Sequence, residues 1–165
     1  ISTGTISGYN SSIAYISIYI IMNLGIFGCI FLMKKEGKYC EDIKDLAGTS
    51  KQNPLLAFSF LIIMFSLAGI PPLAGFFAKF YVFMSVIESG MFTLAIVGLL
   101  STVISAFYYL RIVKIIYFDE IKSHFDKTKN LGIASTVFLS CAILVLFFLY
   151  PSILNNIVNV LSIDQ

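Results

Sequence analysis

The chain has 165 residues, 58% of them hydrophobic and 12% charged, with a mean hydropathy of +0.92. Soluble domains carry about a quarter charged residues, so this composition excludes a water-soluble globule. A formal charge of +2, no basic run and three scattered cysteines exclude a disordered chain, a nucleic-acid binder and a disulfide-stapled module.

The pattern that remains is an all-α membrane protein with four transmembrane helices. Residues 1–10 read as an outer-side segment without basic residues. Residues 11–33 are 23 positions without a charge, enough to cross a bilayer as one helix. A polar inner-side loop follows at 34–53. Residues 54–87 form an apolar stretch with one charge, Lys79, and 88–91 (Glu-Ser-Gly-Met) form an outer-side turn. Residues 92–118 are a third span with a basic inner end, 119–130 an inner-side loop, 131–150 a fourth span and 151–165 an outer-side tail. No signal-peptide pattern is present, and the chain opens on Ile1, which points to a processed chain or a piece of something longer.

The second stretch, at 34 residues, is too long for one straight helix and contains SLAGIPPLAGF, from Ser66 to Phe76. Pro71 and Pro72 remove two successive backbone donors, and Gly69 and Gly75 flank them. The prediction is a discontinuous helix: one half from about Pro54 to Gly69, a short irregular link, and a second half from about Leu73 to Ile87. Pro54 suits a first helical turn, where a missing donor costs nothing.

Basic residues set the orientation. Lys34, Lys35, Lys38, Lys44 and Lys51 lie in the first loop; Arg111, Lys114, Lys122, Lys127 and Lys129 lie at or beyond the end of the third span. In a four-span protein those two loops share a side, so the positive-inside rule places both inside and both termini outside.

Lys79 stands apart. Nine residues before Glu88, it sits roughly 13 Å below the outer interface, near the middle of a ~30 Å core. Its stem is too short to reach headgroups. A charge at that depth costs about 3 kcal/mol or more on insertion scales, so such residues face protein or a wet cavity. Burial and neighbours retune a lysine's proton affinity, which suits proton exchange. A proline break needs its freed carbonyls, around Leu67 and Ala68, satisfied by protein or water, and a break beside a midplane lysine is a transporter arrangement. Two plainer readings stand beside this one: an architectural kink, and a lysine that pairs with an acid on another subunit.

Other polar residues carry less. Ser101, Ser105 and Tyr108 recur at helical spacing on the third span, and Ser12, Tyr15, Tyr19 and Asn23 on the first; each stripe is a polar path or a set of helix contacts. Glu88, at the outer interface, is a helix-end residue or a participant in proton exit. His124 reads as a solvated loop residue, and Cys29, Cys40 and Cys141 lack metal or redox spacing. No nucleophile–base pair, phosphate loop or ligand cluster appears, so no catalytic redox site, cofactor site or metal site is expected in this chain.

FSLAGIPPLAGFFAKFYVF (Phe65 to Phe83), followed by SAFYYLRIVKIIYF (Ser105 to Phe118), resembles the C-terminal part of NADH dehydrogenase subunit 2, the N-type antiporter-like membrane subunits of respiratory complex I. The resemblance covers essentially the whole chain and is densest over 54–118. It implies the last four helices of a fourteen-helix fold, with Lys79 as the lysine of broken helix 12 and a candidate for proton exchange toward the outer side. Related M-type subunits carry a glutamate at that place, and L-type subunits differ after it. The helix 5 glutamate and the lysines of helices 7 and 8 that the family uses have no counterpart in this sequence.

The resemblance implies a fragment of NADH:ubiquinone reductase that contributes to proton translocation coupled to quinone reduction, with flavin, iron–sulfur clusters and quinone in other subunits. Its expected partners are the remaining helices of the same subunit on another polypeptide, neighbouring complex I membrane subunits and lipids, not nucleic acid. The alternatives are a scaffold fragment whose lysine does not titrate, and a subunit of a cation/proton antiporter or of the chloroplast NADH dehydrogenase-like complex. Abundant Ile, Phe, Asn, Lys and Tyr without Trp suggest an AT-rich genome, and with a split subunit this favours the mitochondrial inner membrane over a bacterial plasma membrane.

Overall fold

Thr5 opens the first helix: its hydroxyl accepts the Gly8 N–H, filling one of the donors that a helix start leaves empty. In the computed structural model, which describes residues 2–35, 37–40, 42–121, 124–126 and 130–147, this helix, α1, runs Ile6–Phe31. The expected span began at residue 11. Hydropathy marks where the chain is apolar, whereas Thr5 marks where hydrogen bonding starts, and the polar residues Ser7 and Asn10 continue the helix above the apolar stretch.

The loop after α1 has more structure than a polar connection requires. Lys34–Lys35 (β1) and Lys38–Tyr39 (β2) pair as a two-residue antiparallel hairpin, the only sheet among the described residues. A 3-10 turn at Ile43–Leu46 and a one-turn helix, α2, at Thr49–Gln52 follow. The Thr49 side chain is fully buried and donates to the Leu46 carbonyl at 2.7 Å.

Asn53 then caps α3 (Pro54–Ala68), accepting the Leu56 N–H at 3.2 Å, and Pro54 occupies the first turn. Helix α4 spans Ala74–Glu88, α5 Phe92–Phe118 and α6 Leu131–Leu146. Asn130 caps α6 through Ile133 N–H. The second span is therefore discontinuous within a residue or so of the expected bounds. Each half has 15 residues, about 22 Å of helix, so neither crosses a ~30 Å core alone and the two in series do. The end of the fourth span (148–150), the tail (151–165), and Lys122, Lys127 and Lys129 lie outside the described residues.

Helix α1 packs on α6, α4 and α3, and α3 also packs on α5. The core is a stripe of Ala14, Ile18, Met22 and Cys29 from α1 against Phe60, Ile63 and Leu67 from α3 and Val137, Cys141 and Leu144 from α6. Along a helix, steps of three and four residues keep such positions on one face. Helix α5 differs: Val113 and Ile116 near its C-terminal end are buried, while Ile96, Leu100, Val103, Ile104 and Phe107 stay exposed.

The two loops expected inside meet at one end of the bundle. Gly37 N–H donates to Asp126 Oδ2 at 2.8 Å, Asp126 N–H to the Lys34 carbonyl at 2.8 Å, and Phe125 N–H to Gln52 Oε1 at 3.1 Å. These bonds join the α1–α3 connection to the α5–α6 connection.

Candidate functional site at the helix break

Helix α3 ends because Gly69 turns left-handed, at φ +81°, a backbone state that glycine adopts without penalty. Ile70 N–H reaches back to the Phe65 carbonyl at 3.0 Å and Gly69 N–H to the Ser66 carbonyl at 3.0 Å. That pair is a Schellman cap, and it satisfies two of the carbonyls that a helix end leaves free. Residues 70–73 form the link, with a cis bond between Pro71 and Pro72, and Leu73 starts α4 without a side-chain cap.

Lys79 supplies the next bond. Its ammonium Nζ donates to the Leu67 carbonyl at 2.8 Å, across the break and twelve residues back along the chain. The distance is that of a charge-assisted hydrogen bond, and the cation sits at the end of α3 where the helix dipole is negative. Gly69 makes room for the stem, since a Cβ there would stand 3.1 Å from Lys79 Cδ. Lys79 is half-buried and Ala78 beside it fully buried. Among the described residues the one ion pair joins Lys114 to Asp119, so no acid pairs with Lys79.

Gly75 brings the two halves into contact. A Cβ at this position would overlap the Ser66 carbonyl, and Gly75 N–H donates to Ser66 Oγ at 3.1 Å. Ser66 was not among the residues singled out from sequence. Its signal was present: a serine at the end of an apolar half-helix, directly before the break.

The remaining sequence candidates do not converge on this point. Ser101 and Ser105 donate to the carbonyls of Val97 and Ser101 on their own helix, and Tyr108 is exposed. On α1, Ser12 donates to the Gly8 carbonyl, Asn23 to the Tyr19 carbonyl, and the Tyr15 and Tyr19 rings stack on each other at 6.1 Å. Glu88 is the exposed last residue of α4, and His124 is exposed in its loop. The structure thus assembles Lys79, Gly69, Gly75 and the Leu67 carbonyl into one site, with Pro71 and Pro72 on its exposed edge.

A family model described as "NADH:quinone oxidoreductase/Mrp antiporter, TM" matches residues 1–105. The chain is 53% identical to NADH-quinone oxidoreductase subunit N of Pelagibacter ubique over 99% of its own length and 35% of that protein's. It is 47% identical to the subunit N of Rhodospirillum rubrum, over 93% of itself and 31% of the relative. The chain therefore spans about a third of the length of these relatives. In fold it matches a chain of respiratory complex I from Thermus thermophilus with a TM-score of 0.77, at 24% identity, over 88% of this chain and 34% of the other.

Proposed function

The chain belongs to the NADH:quinone oxidoreductase/Mrp antiporter transmembrane family, and from that membership we propose that it is a membrane-arm piece of respiratory complex I that takes part in proton translocation. Lys79 is its proton relay. The observation that carries this reading is the Lys79 ammonium at the end of a broken half-helix, bonded to the Leu67 carbonyl at 2.8 Å.

The chemistry follows from that bond. A charge-assisted hydrogen bond weakens when its donor loses charge, so deprotonation of Lys79 loosens its hold on the end of α3. Loosening changes which side the amine faces or what it touches. Carrying one charge against 100 mV requires about 2.3 kcal/mol, so affinity and access must both change during turnover. The driving redox chemistry belongs to other subunits, and quinone, flavin and iron–sulfur clusters are placed there. The partners are the rest of the same subunit and its neighbours in the membrane arm. The 34–53 and 119–130 loops face the inner compartment, the matrix if the membrane is mitochondrial and the cytoplasm if it is bacterial.

One observation favours a second reading. The same bond closes an otherwise open helix end, so Lys79 also fits a purely structural cap. Substituting Lys79 separates the two in the assembled complex in sealed vesicles. Lys79→Met is expected to lower the number of protons moved per NADH oxidised, and Lys79→Arg to lower it too, because a guanidinium holds its proton. Normal assembly with an unchanged ratio in both variants defeats the relay.

A further inference from the structure

The serines of this chain's helices mostly bond back along their own helix: Ser12, Ser17, Ser59, Ser101 and Ser105 each donate to the carbonyl four residues earlier. Ser66 behaves differently. Its hydroxyl oxygen accepts a bond from the other half-helix, the Gly75 N–H at 3.1 Å, and the side chain is fully buried.

Its position gives that bond a consequence. Ser66 precedes Leu67, whose carbonyl takes the Lys79 ammonium, and Gly75 precedes Lys79 by one helical turn on the same face of α4. Two neighbouring residues of α3 are thus held by two residues one turn apart on α4. The inner bond, Ser66 to Gly75, is buried among backbone, where water does not compete for it. The outer bond, Leu67 to Lys79, is half-exposed. A bond that does not change with protonation therefore fixes the distance across which a bond that does change must act.

We propose that Ser66 is a positioning residue for Lys79: by clamping the start of α4 to the end of α3, it sets the Leu67 carbonyl within reach of the ammonium. This inference rests on the relay reading of Lys79. Neither Gly69 nor the prolines perform this task, because their role is to end α3, and an ended helix is free to pivot.

The test uses the whole complex in sealed vesicles, with protons per NADH measured for Ser66→Ala, Ser66→Thr, Lys79→Met, and the Ser66→Ala/Lys79→Met pair. Ser66→Ala is expected to remove about half or more of the pumping that Lys79→Met removes, and Ser66→Thr, which keeps the hydroxyl, to restore it. In the double variant, the alanine is expected to add nothing to the methionine, a non-additivity that a general packing defect does not produce. A wild-type ratio in Ser66→Ala overturns the inference while leaving the relay intact, provided Lys79→Met still lowers the ratio. Full additivity in the double variant also overturns it. An unchanged ratio in Lys79→Met overturns the relay itself. If Ser66→Ala prevents assembly, Ser66→Cys keeps a weak acceptor: an intermediate ratio supports the inference and a wild-type ratio refutes it.

Discussion

Alanine at position 75 is the sharpest structural perturbation of the break. Gly75 lies where a Cβ would overlap the Ser66 carbonyl oxygen, at 2.7 Å from the carbonyl carbon and 2.9 Å from Ser66 Oγ. All three neighbours belong to one buried residue, and two are backbone atoms, so no flexible side chain moves aside. Relief requires the half-helices to separate by roughly an ångström, an overpacking cost of about 1–3 kcal/mol. Separation also breaks the buried Gly75–Ser66 bond, at about 1–3 kcal/mol for a donor left without a partner. The sum is about 2–6 kcal/mol, large against the stability of any single domain. Gly90→Ala is the control. Gly90 has φ +73° but open space around it, so its cost is limited to the left-handed backbone, about 1–2 kcal/mol. The assay is the yield of assembled complex from membranes and the temperature at which it dissociates. Gly75→Ala is expected to fall well below Gly90→Ala on both measures. Equal behaviour of the two variants refutes the close approach at Ser66.

Four further outcomes are expected. Burial first, and Asp45 second, push the Cys40 thiol above its ordinary range, so its alkylation rate should climb about tenfold per pH unit beyond pH 8.5; a plateau below that pH contradicts the environment described. A membrane-impermeant maleimide should label Cys40 only from the compartment assigned as inner, and labelling from the opposite side reverses the orientation. Asp126→Ala removes the acceptor for Gly37 N–H at an exposed site, so about 1 kcal/mol is expected locally, seen as faster amide exchange at Gly37 with assembly intact. Lys114→Ala should leave stability unchanged, because the Lys114–Asp119 pair, at 3.5 Å, is formed by side chains 67% and 34% exposed; a clear fall in dissociation temperature shows that this pair does more than its exposure allows.

The break was legible because its signals are local. Two adjacent prolines and a glycine in the left-handed state stop a helix whatever surrounds them, and Asn53 with Pro54 announces the next start in the same way. The acceptor of the site was legible for a related reason: a stopped helix frees its last carbonyls, and Leu67 is one of them. The partner of Ser66 was not. Its bond depends on the angle between α3 and α4, which is set by packing across the link rather than by any sequence spacing. The hairpin at Lys34–Tyr39 and the turn of α2 were missed because short polar elements have no hydrophobic period to read; they exist because the two loops bond to each other. In the polar stripe Ser101, Ser105 and Tyr108 the helical period was legible, but not that the two serine hydroxyls turn back onto carbonyls of their own helix.

The chemistry of the break's outer edge determines what covers it. Gly69 and Ile70 N–H bond to carbonyls of α3, Leu73 N–H to the Ile70 carbonyl and Gly75 N–H to Ser66, and Pro71 and Pro72 have no N–H at all. These donors of the edge are thus used. None of the described backbone N–H groups bonds the Pro71 or Pro72 carbonyl, and both prolines are exposed. At membrane depth a carbonyl facing hydrocarbon costs several kcal/mol, so lipid is a poor neighbour for this surface. A suitable neighbour brings donors: hydroxyls, amides, protonated side chains or water. What packs against α3 and α4 therefore decides which groups the Lys79 ammonium can meet beyond the Leu67 carbonyl.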